Sequence, residues 1–162
     1  MQFFLLALFA ALIAGIDQLT KLLVVQNIPL YAKVDAIPGL FNLTYVQNTG
    51  AAWSILEGAR WAFVVLFVVL TAALLLEYFK KPLPLRKYER WFLAAIYGGG
   101  LGNIIDRVFR GFVVDMINLE FMEFPVFNVA DCFITCGCIA LFVSLVFFNK
   151  EFWKDEKKTA EE

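Results

Sequence analysis

The 162 residues are 61% hydrophobic with a mean hydropathy of +0.73, above the ~45–50% apolar content of a soluble domain, and the surplus lies in runs long enough to cross a bilayer. Formal net charge is −1, so no basic field points to a nucleic-acid partner. There is no histidine, which excludes a His-ligated zinc site and any Ser-His or Cys-His nucleophile pair.

The first apolar run, about 3–25, lacks the basic n-region of a cleavable signal peptide and exceeds a usual h-region, so it is expected to remain as a span. It carries Asp17 and Lys21 four residues apart, on one helix face. An intrahelical ion pair explains these two taken alone. A charge at mid-membrane still costs about 2.5–3.5 kcal/mol, so their presence is also a functional hint.

The loop 26–60 holds only Lys33 and Arg60 as cations. Within it, "LFNLTYVQ" (40–47) follows a "PG" turn signal and predicts a short strand or hairpin on the outer surface. "AAWSIL" (51–56) predicts a brief interfacial helix, because Trp favours the headgroup level.

The second run spans 61–79. The loop after it, "KKPLPLRKYER" (80–90), holds Lys80, Lys81, Arg86, Lys87 and Arg90, and the C-terminal tail holds Lys150, Lys154, Lys157 and Lys158. This bias places both termini and the middle loop in the cytoplasm, with loops 26–60 and 109–128 outside. The tail, 150–162, reads as frayed and solvated.

The third run, about 91–108, contains "YGGGLGNIIDRVFRG" (97–111). Gly98 and Gly102 form a small-xxx-small face for close helix approach. A phosphate-binding loop is excluded, since no strand precedes the glycines and they lie within the bilayer. Asn103, Asp106 and Arg107 share one helical face, with Arg107 and Arg110 near enough to neutralise Asp106.

"GFVVDMI" (111–117) sets Asp115 among apolar residues with no basic residue within four positions. The fourth run, about 129–148, opens on "FNVAD" (127–131), where Asn128 can cap the helix and Asp131 can face its positive end. Cys132, Cys136 and Cys138 have no metal-site spacing and read as small, polarizable core packing. No metal or other cofactor is expected.

At about 1.5 Å per residue, Asp17 lies roughly 21 Å from the cytoplasmic start of its span, and Asn103 and Asp106 roughly 18 and 22 Å from theirs. With Asn128 and Asp131 at the outer mouth, five polar residues from three spans gather in the outer half of the membrane. If the loop 111–127 folds back, Asp115 meets Asp131. Two carboxylates sharing a site hold one proton between them. The ionised member can activate water while the protonated one donates to a developing oxyanion. This is aspartyl-protease chemistry, and it needs no histidine. Two rivals stay open: Ser54 activated by Lys21, as in Ser-Lys peptidases, and a small transporter whose buried charges form a proton or ion path. A purely structural assembly protein would explain the glycine face but not Asp115.

With "DQLTK" (17–21), "NTGAAWS" (48–54), "GGGLGNIIDR" (98–107), "VVDM" (113–116) and "FNVADCFI" (127–134) in this order, nearly the whole chain resembles the bacterial lipoprotein signal peptidases, or signal peptidase II. The resemblance implies a membrane aspartyl endopeptidase that removes a prolipoprotein signal peptide just before the lipid-modified cysteine. Carried onto this chain, the catalytic pair is Asp115 and Asp131. Asn103, Asp106, Arg107, Asn128 and Ala130 match the supporting motifs, and Asp17, Lys21, Asn48 and Gly50 the remaining polar and turn positions. Met116 departs from the pattern, standing where an aromatic residue is expected, which bears on the local pocket shape. "NLEFMEF" (118–124) is less recognisable, and Glu120 and Glu123 there read as solvated.

The expected architecture is a single all-α membrane domain over 1–162, with four transmembrane helices and a small extracytoplasmic β-rich loop domain. The expected setting is the bacterial cytoplasmic membrane, with the site on its outer side. Expected partners are diacylglyceryl-modified prolipoproteins and membrane lipids, for a chain acting as a monomer.

Overall fold

The structure, a computed structural model, describes residues 1–50, 57–80 and 83–153. The helix expected over 51–56, Ser54, Lys81 and the tail beyond 153 lie outside the described residues.

Four long helices form among the described residues: α1 (Gln2–Asn27), α2 (Arg60–Lys80), α3 (Lys87–Phe109) and α4 (Val129–Val143), the last continuing as a π-helical turn over Ser144–Phe148. Each begins at or before the residue expected from hydropathy, and α3 starts four residues early because the polar Lys87–Arg90 segment is already helical. Three helices are long and apolar enough to cross a membrane: α1, α2, and α4 with its π-turn. Asn103, Asp106, Arg107 and a run of glycines dilute the hydropathy of α3. It packs instead as the central helix, most extensively against α1 and α4, with α2 alongside.

The glycines explain how a helix carrying so many polar groups is enclosed. A Cβ on Gly98 would lie 2.6 Å from the Ala10 carbonyl oxygen of α1, and one on Gly102 would strike the Asp17 carboxylate. The Gly98/Gly102 face therefore meets α1. Gly99, which the small-xxx-small pattern does not mark, serves α4: its Cβ would lie 2.5 Å from the Ala130 carbonyl oxygen.

Between the helices lies a three-stranded antiparallel sheet of order β1 (Lys33–Ile37), β2 (Phe41–Asn48), β3 (Val113–Leu119). "LFNLTYVQ" contributes β2, which pairs with β1 across the "PG" turn, while its pairing with β3 lies beyond what the sequence signalled. β3 comes from the stretch read as a folded-back loop. Side chains alternate along it. Val114 and Met116 face α1, packing with Tyr45 on Val24 and Ile28, while Asp115 takes the opposite face. Met116 is thus part of the core under the sheet, and its departure from the family pattern falls on the far side of the strand from the carboxylate.

Glu120 is exposed, as expected, and it also accepts hydrogen bonds from the Asn42 amide (3.0 Å) and the Gly39 N–H (2.7 Å), which hold its carboxyl below the usual range. Two further expectations are corrected. Cys136 and Cys138 are exposed on the outer surface of α4 and Cys132 is half-buried, so they do not pack the core. The apolar environment of a span hides this, since a lipid-facing residue and a buried one read alike. The tail does not fray at once. Residues 150–153 are helical, and the Trp153 indole donates to the Leu145 carbonyl at 2.7 Å.

The end of the bundle near the 80–90 loop has its own polar clasp. The buried Glu89 carboxylate accepts from the Ser144 hydroxyl (2.5 Å), the Asn149 amide (2.7 Å) and the Arg86 N–H (2.7 Å). It ties the π-turn to the start of α3.

Candidate active site

Asp106 is the residue on which the site is hung. It sits near the end of α3, fully buried, with one carboxylate oxygen accepting the Val114 N–H at 2.9 Å. That bond fixes the start of β3 against the helix end. Its other partners are Lys21 (3.2 Å), the Gln18 amide (3.2 Å) and Arg110 (3.6 Å). Arg107 is not among them: its guanidinium donates to the Gly50 carbonyl at 2.7 Å and stacks over Phe63. The neutralising cations of Asp106 are therefore Lys21 and Arg110.

Lys21 pairs with Asp17 at 2.8 Å, one turn away on α1, as their spacing predicts. It also reaches across to Asp106, and its third partner is the Asn103 side-chain carbonyl at 2.8 Å. All three ammonium hydrogens are thereby engaged in a pocket with no exposure. The other Asp17 oxygen accepts the Ala130 N–H at 3.0 Å. Ala130 is wholly buried, with its carbonyl against Gly99, so a larger side chain has no room where α1, α3 and α4 meet.

The donor-only Lys21 dictates how Asn103 is turned. Asn103 must offer its carbonyl to the ammonium, which leaves its NH₂ to donate to Asp131 at 2.8 Å. Asn128 continues the network. Its NH₂ donates to Asp115 (2.6 Å) and to the Asn103 carbonyl (3.1 Å), while its own carbonyl accepts the Asp131 N–H (3.0 Å). The Asn128 backbone N–H in turn donates to Asp131 (3.1 Å), completing a reciprocal capping box at the start of α4. The capping that the sequence suggests for Asn128 and Asp131 forms, and it does not exhaust either residue.

Asp115 receives its second bond across the sheet. Its register partner is Val46, which puts Asn48, two residues on, at the diagonal position of the same face. The Asn48 amide reaches Asp115 at 2.8 Å, and its carbonyl accepts the Gly50 N–H at 2.9 Å. The loop that Arg107 grips at Gly50 is thus the loop that presents Asn48.

The two aspartates, 16 positions apart in the chain, are held by one asparagine. Every carboxylate oxygen of the pair has a neutral amide donor: Asn48 and Asn128 for Asp115, Asn103 and the Asn128 backbone for Asp131. Among the described residues neither forms an ion pair. Lone pairs remain free on each oxygen, so a proton or a water can still be held. Their environments differ. Asp115 is 3% exposed, whereas Asp131 is half-buried at a helix N-terminus. Burial pushes the Asp115 carboxyl up to about 6 against the pull of the Asn48 amide, and the nearby Asp131 charge pushes the same way.

All eleven residues named from the sequence enter one connected network. Gln18 and Arg110, which the sequence reading did not mark as site residues, join it at Asp106. Gln18 could have been found as a polar side chain inside an apolar run, beside Asp17.

The family model described as "Signal peptidase (SPase) II" matches residues 9–147. A lipoprotein signal peptidase of Enterococcus faecalis is 42% identical over 149 residues, covering 88% of each chain. One from Streptococcus thermophilus is 44% identical over 147 residues, again 88% of each, and one from Streptococcus pyogenes is 41% identical over 145 residues, 90% of each. A solved structure described as that of a bacterial membrane enzyme at 2.3 Å superposes with a TM-score of 0.79 at 31% identity, covering 89% of this chain and 88% of that one. A second, at 1.9 Å, gives 0.76 at the same identity, covering 88% and 92%.

Proposed function

Because the chain belongs to the signal peptidase II family, we propose that Asp115 and Asp131 are its catalytic pair. The protein is a peptidase that removes the signal peptides of prolipoproteins. The observation that carries the aspartyl reading is the single asparagine, Asn128, bonded to both carboxylates where, among the described residues, neither forms an ion pair.

The asymmetry of the pair supports a division of roles. Asp131, at a helix N-terminus and open to water, is the ionised member. Asp115, almost fully enclosed, holds the proton. A water between them attacks the scissile carbonyl carbon as Asp131 takes its proton, and Asp115 delivers a proton to the carbonyl oxygen. The resulting gem-diol collapses when Asp115 removes a proton from one hydroxyl. The C–N bond breaks, and Asp131 gives its proton to the leaving amine, restoring the starting pair. No cofactor is needed to balance the cycle.

The finer placement follows from charge and depth. The four helices cross the bacterial cytoplasmic membrane with both termini and the 80–90 loop inside, and the sheet covers the dyad outside. The whole chain forms one domain, acts as a monomer, and cuts diacylglyceryl-modified substrates just before the modified cysteine.

The Ser54–Lys21 alternative asks for a lysine able to take a proton. Lys21 has all three ammonium hydrogens committed to Asp17, Asp106 and Asn103, so it serves as a structural cation. The transport and assembly readings yield to family membership. The test is cleavage of a diacylglyceryl-modified prolipoprotein by purified protein, with the released peptide sized by mass spectrometry. A product ending one residue before the modified cysteine, formed equally by Ser54→Ala, supports the proposal. A different cut site, or loss of activity in a folded Ser54→Ala, contradicts it.

A further inference from the structure

We propose that a crevice between α1 and α2, floored by α3, holds an acyl chain of an anionic phospholipid from the cytoplasmic leaflet, with its phosphate at Arg90. This rests on the orientation proposed above, in which the start of α3 faces inward. None of the residues that bind or support the aspartate pair lines the crevice.

The crevice exists because α2 packs on α3 and stands away from α1. The two outer helices meet through Phe3, whose ring centroid lies 5.1 Å from Tyr78 and 5.3 Å from Phe79. Beyond that contact they part around a cavity of about 310 Å³ lined by Ala7, Ala11, Leu74, Leu75, Leu93 and Leu101. α2 itself has no buried residue, and nothing among the described residues fills the gap.

Depth and charge identify the occupant. Arg90 to Leu101 is 11 residues of helix, roughly 16 Å, which is half of the roughly 30 Å hydrocarbon core. The crevice therefore spans one leaflet. Arg90 lines its headgroup end, held over the Tyr78 ring at 5.4 Å, and among the described residues it forms no ion pair. Glu77 lines the same end, but its carboxylate accepts the Leu83 N–H at 2.6 Å. Arg86 donates to the Phe148 carbonyl, and Lys80 and Lys87 are exposed at the end of α2 and the start of α3 without lining the crevice. An apolar slot one leaflet deep with a cationic rim fits a lipid with an anionic head.

The test is native mass spectrometry of the full chain in detergent, with phosphatidylglycerol and phosphatidylcholine of identical acyl chains. The parent should retain phosphatidylglycerol about fivefold more than phosphatidylcholine, the preference one interfacial cation supplies. Arg90→Gln should abolish that preference, Arg90→Lys should keep it, and Ala11→Phe should lose both lipids. Equal retention of the two lipids by the parent, or an unchanged preference in Arg90→Gln, overturns the proposal. So does capture of prolipoprotein by a photoreactive group at position 11. Peptide cleavage enters none of these readings. Orientation is read separately: Lys87→Cys resisting an impermeant thiol reagent in intact cells supports the leaflet assigned, and labelling above the parent's background overturns it even if lipid is retained.

Discussion

The side-chain amide of Asn128 lies 2.6 Å from Asp115, joining the first residue of the α4 cap to the middle of a strand from a different part of the fold. The same side chain caps α4, its carbonyl accepting the Asp131 N–H at 3.0 Å. Asn128→Ala should therefore do two separable things. Losing the cap should lower stability by about 1 kcal/mol, while releasing Asp115 should lower kcat/KM about 100-fold, the scale of a misplaced catalytic group. Thermal melting and steady-state cleavage, measured on one preparation, distinguish the two effects.

Lys21→Met should be among the most damaging substitutions in the chain. It leaves Asp17 and Asp106 buried without their shared cation, a change that costs about 3–5 kcal/mol when a buried pair is broken. It also frees Asn103 to turn, so the surviving folded fraction should cleave poorly. A melting temperature close to that of the parent would refute the structural role given to this lysine.

Proton linkage follows from Asp115. Its carboxyl is raised from 3.8 to about 6, so between those values the folded state binds more protons than the unfolded one and stability falls as pH rises. Activity should fall on the same side, because the general acid is lost when Asp115 ionises. A profile of kcat/KM should show an alkaline limb with an apparent pKa near 6 that belongs to the coupled pair. A flat profile from pH 5 to about 8 would argue against Asp115 as the acid.

Two glycines make a controlled comparison. Gly99→Ala places a Cβ 2.5 Å from the Ala130 carbonyl, backbone against backbone, so α4 must shift at a cost of about 1–3 kcal/mol, and Asp131 moves with it. Gly15→Ala meets nothing within 4 Å and should be neutral or slightly stabilising, since Ala is the better helix former. Melting curves of both variants check this directly.

Much of this site is legible in the sequence because lipid makes polar residues conspicuous. Asp17, Lys21, Asn103 and Asp106 stand out inside apolar runs, and helix rise alone puts them at one depth. Asp115 stands out for lacking any local partner. What stays hidden are links made at long range by backbone groups or by a strand. The tie from Asp106 to the Val114 N–H leaves no side-chain signal at position 114. β3 reads as a loop because Asp115 and Asn118 break its apolar alternation, and its pairing to β2 lies about 70 positions away in the chain. The Glu89 clasp is missed because a charge in a cationic loop looks solvated until Ser144 and Asn149 are brought to it.

The most direct measurement is cleavage of a lipidated prolipoprotein by the parent, Asp115→Asn and Asp131→Asn, with melting curves showing that all three are folded. Each substitution keeps the side-chain shape while removing the shared proton or the charge. Loss of essentially all turnover in both variants is the predicted result. Substantial turnover in either would contradict the aspartate pair as the catalytic centre.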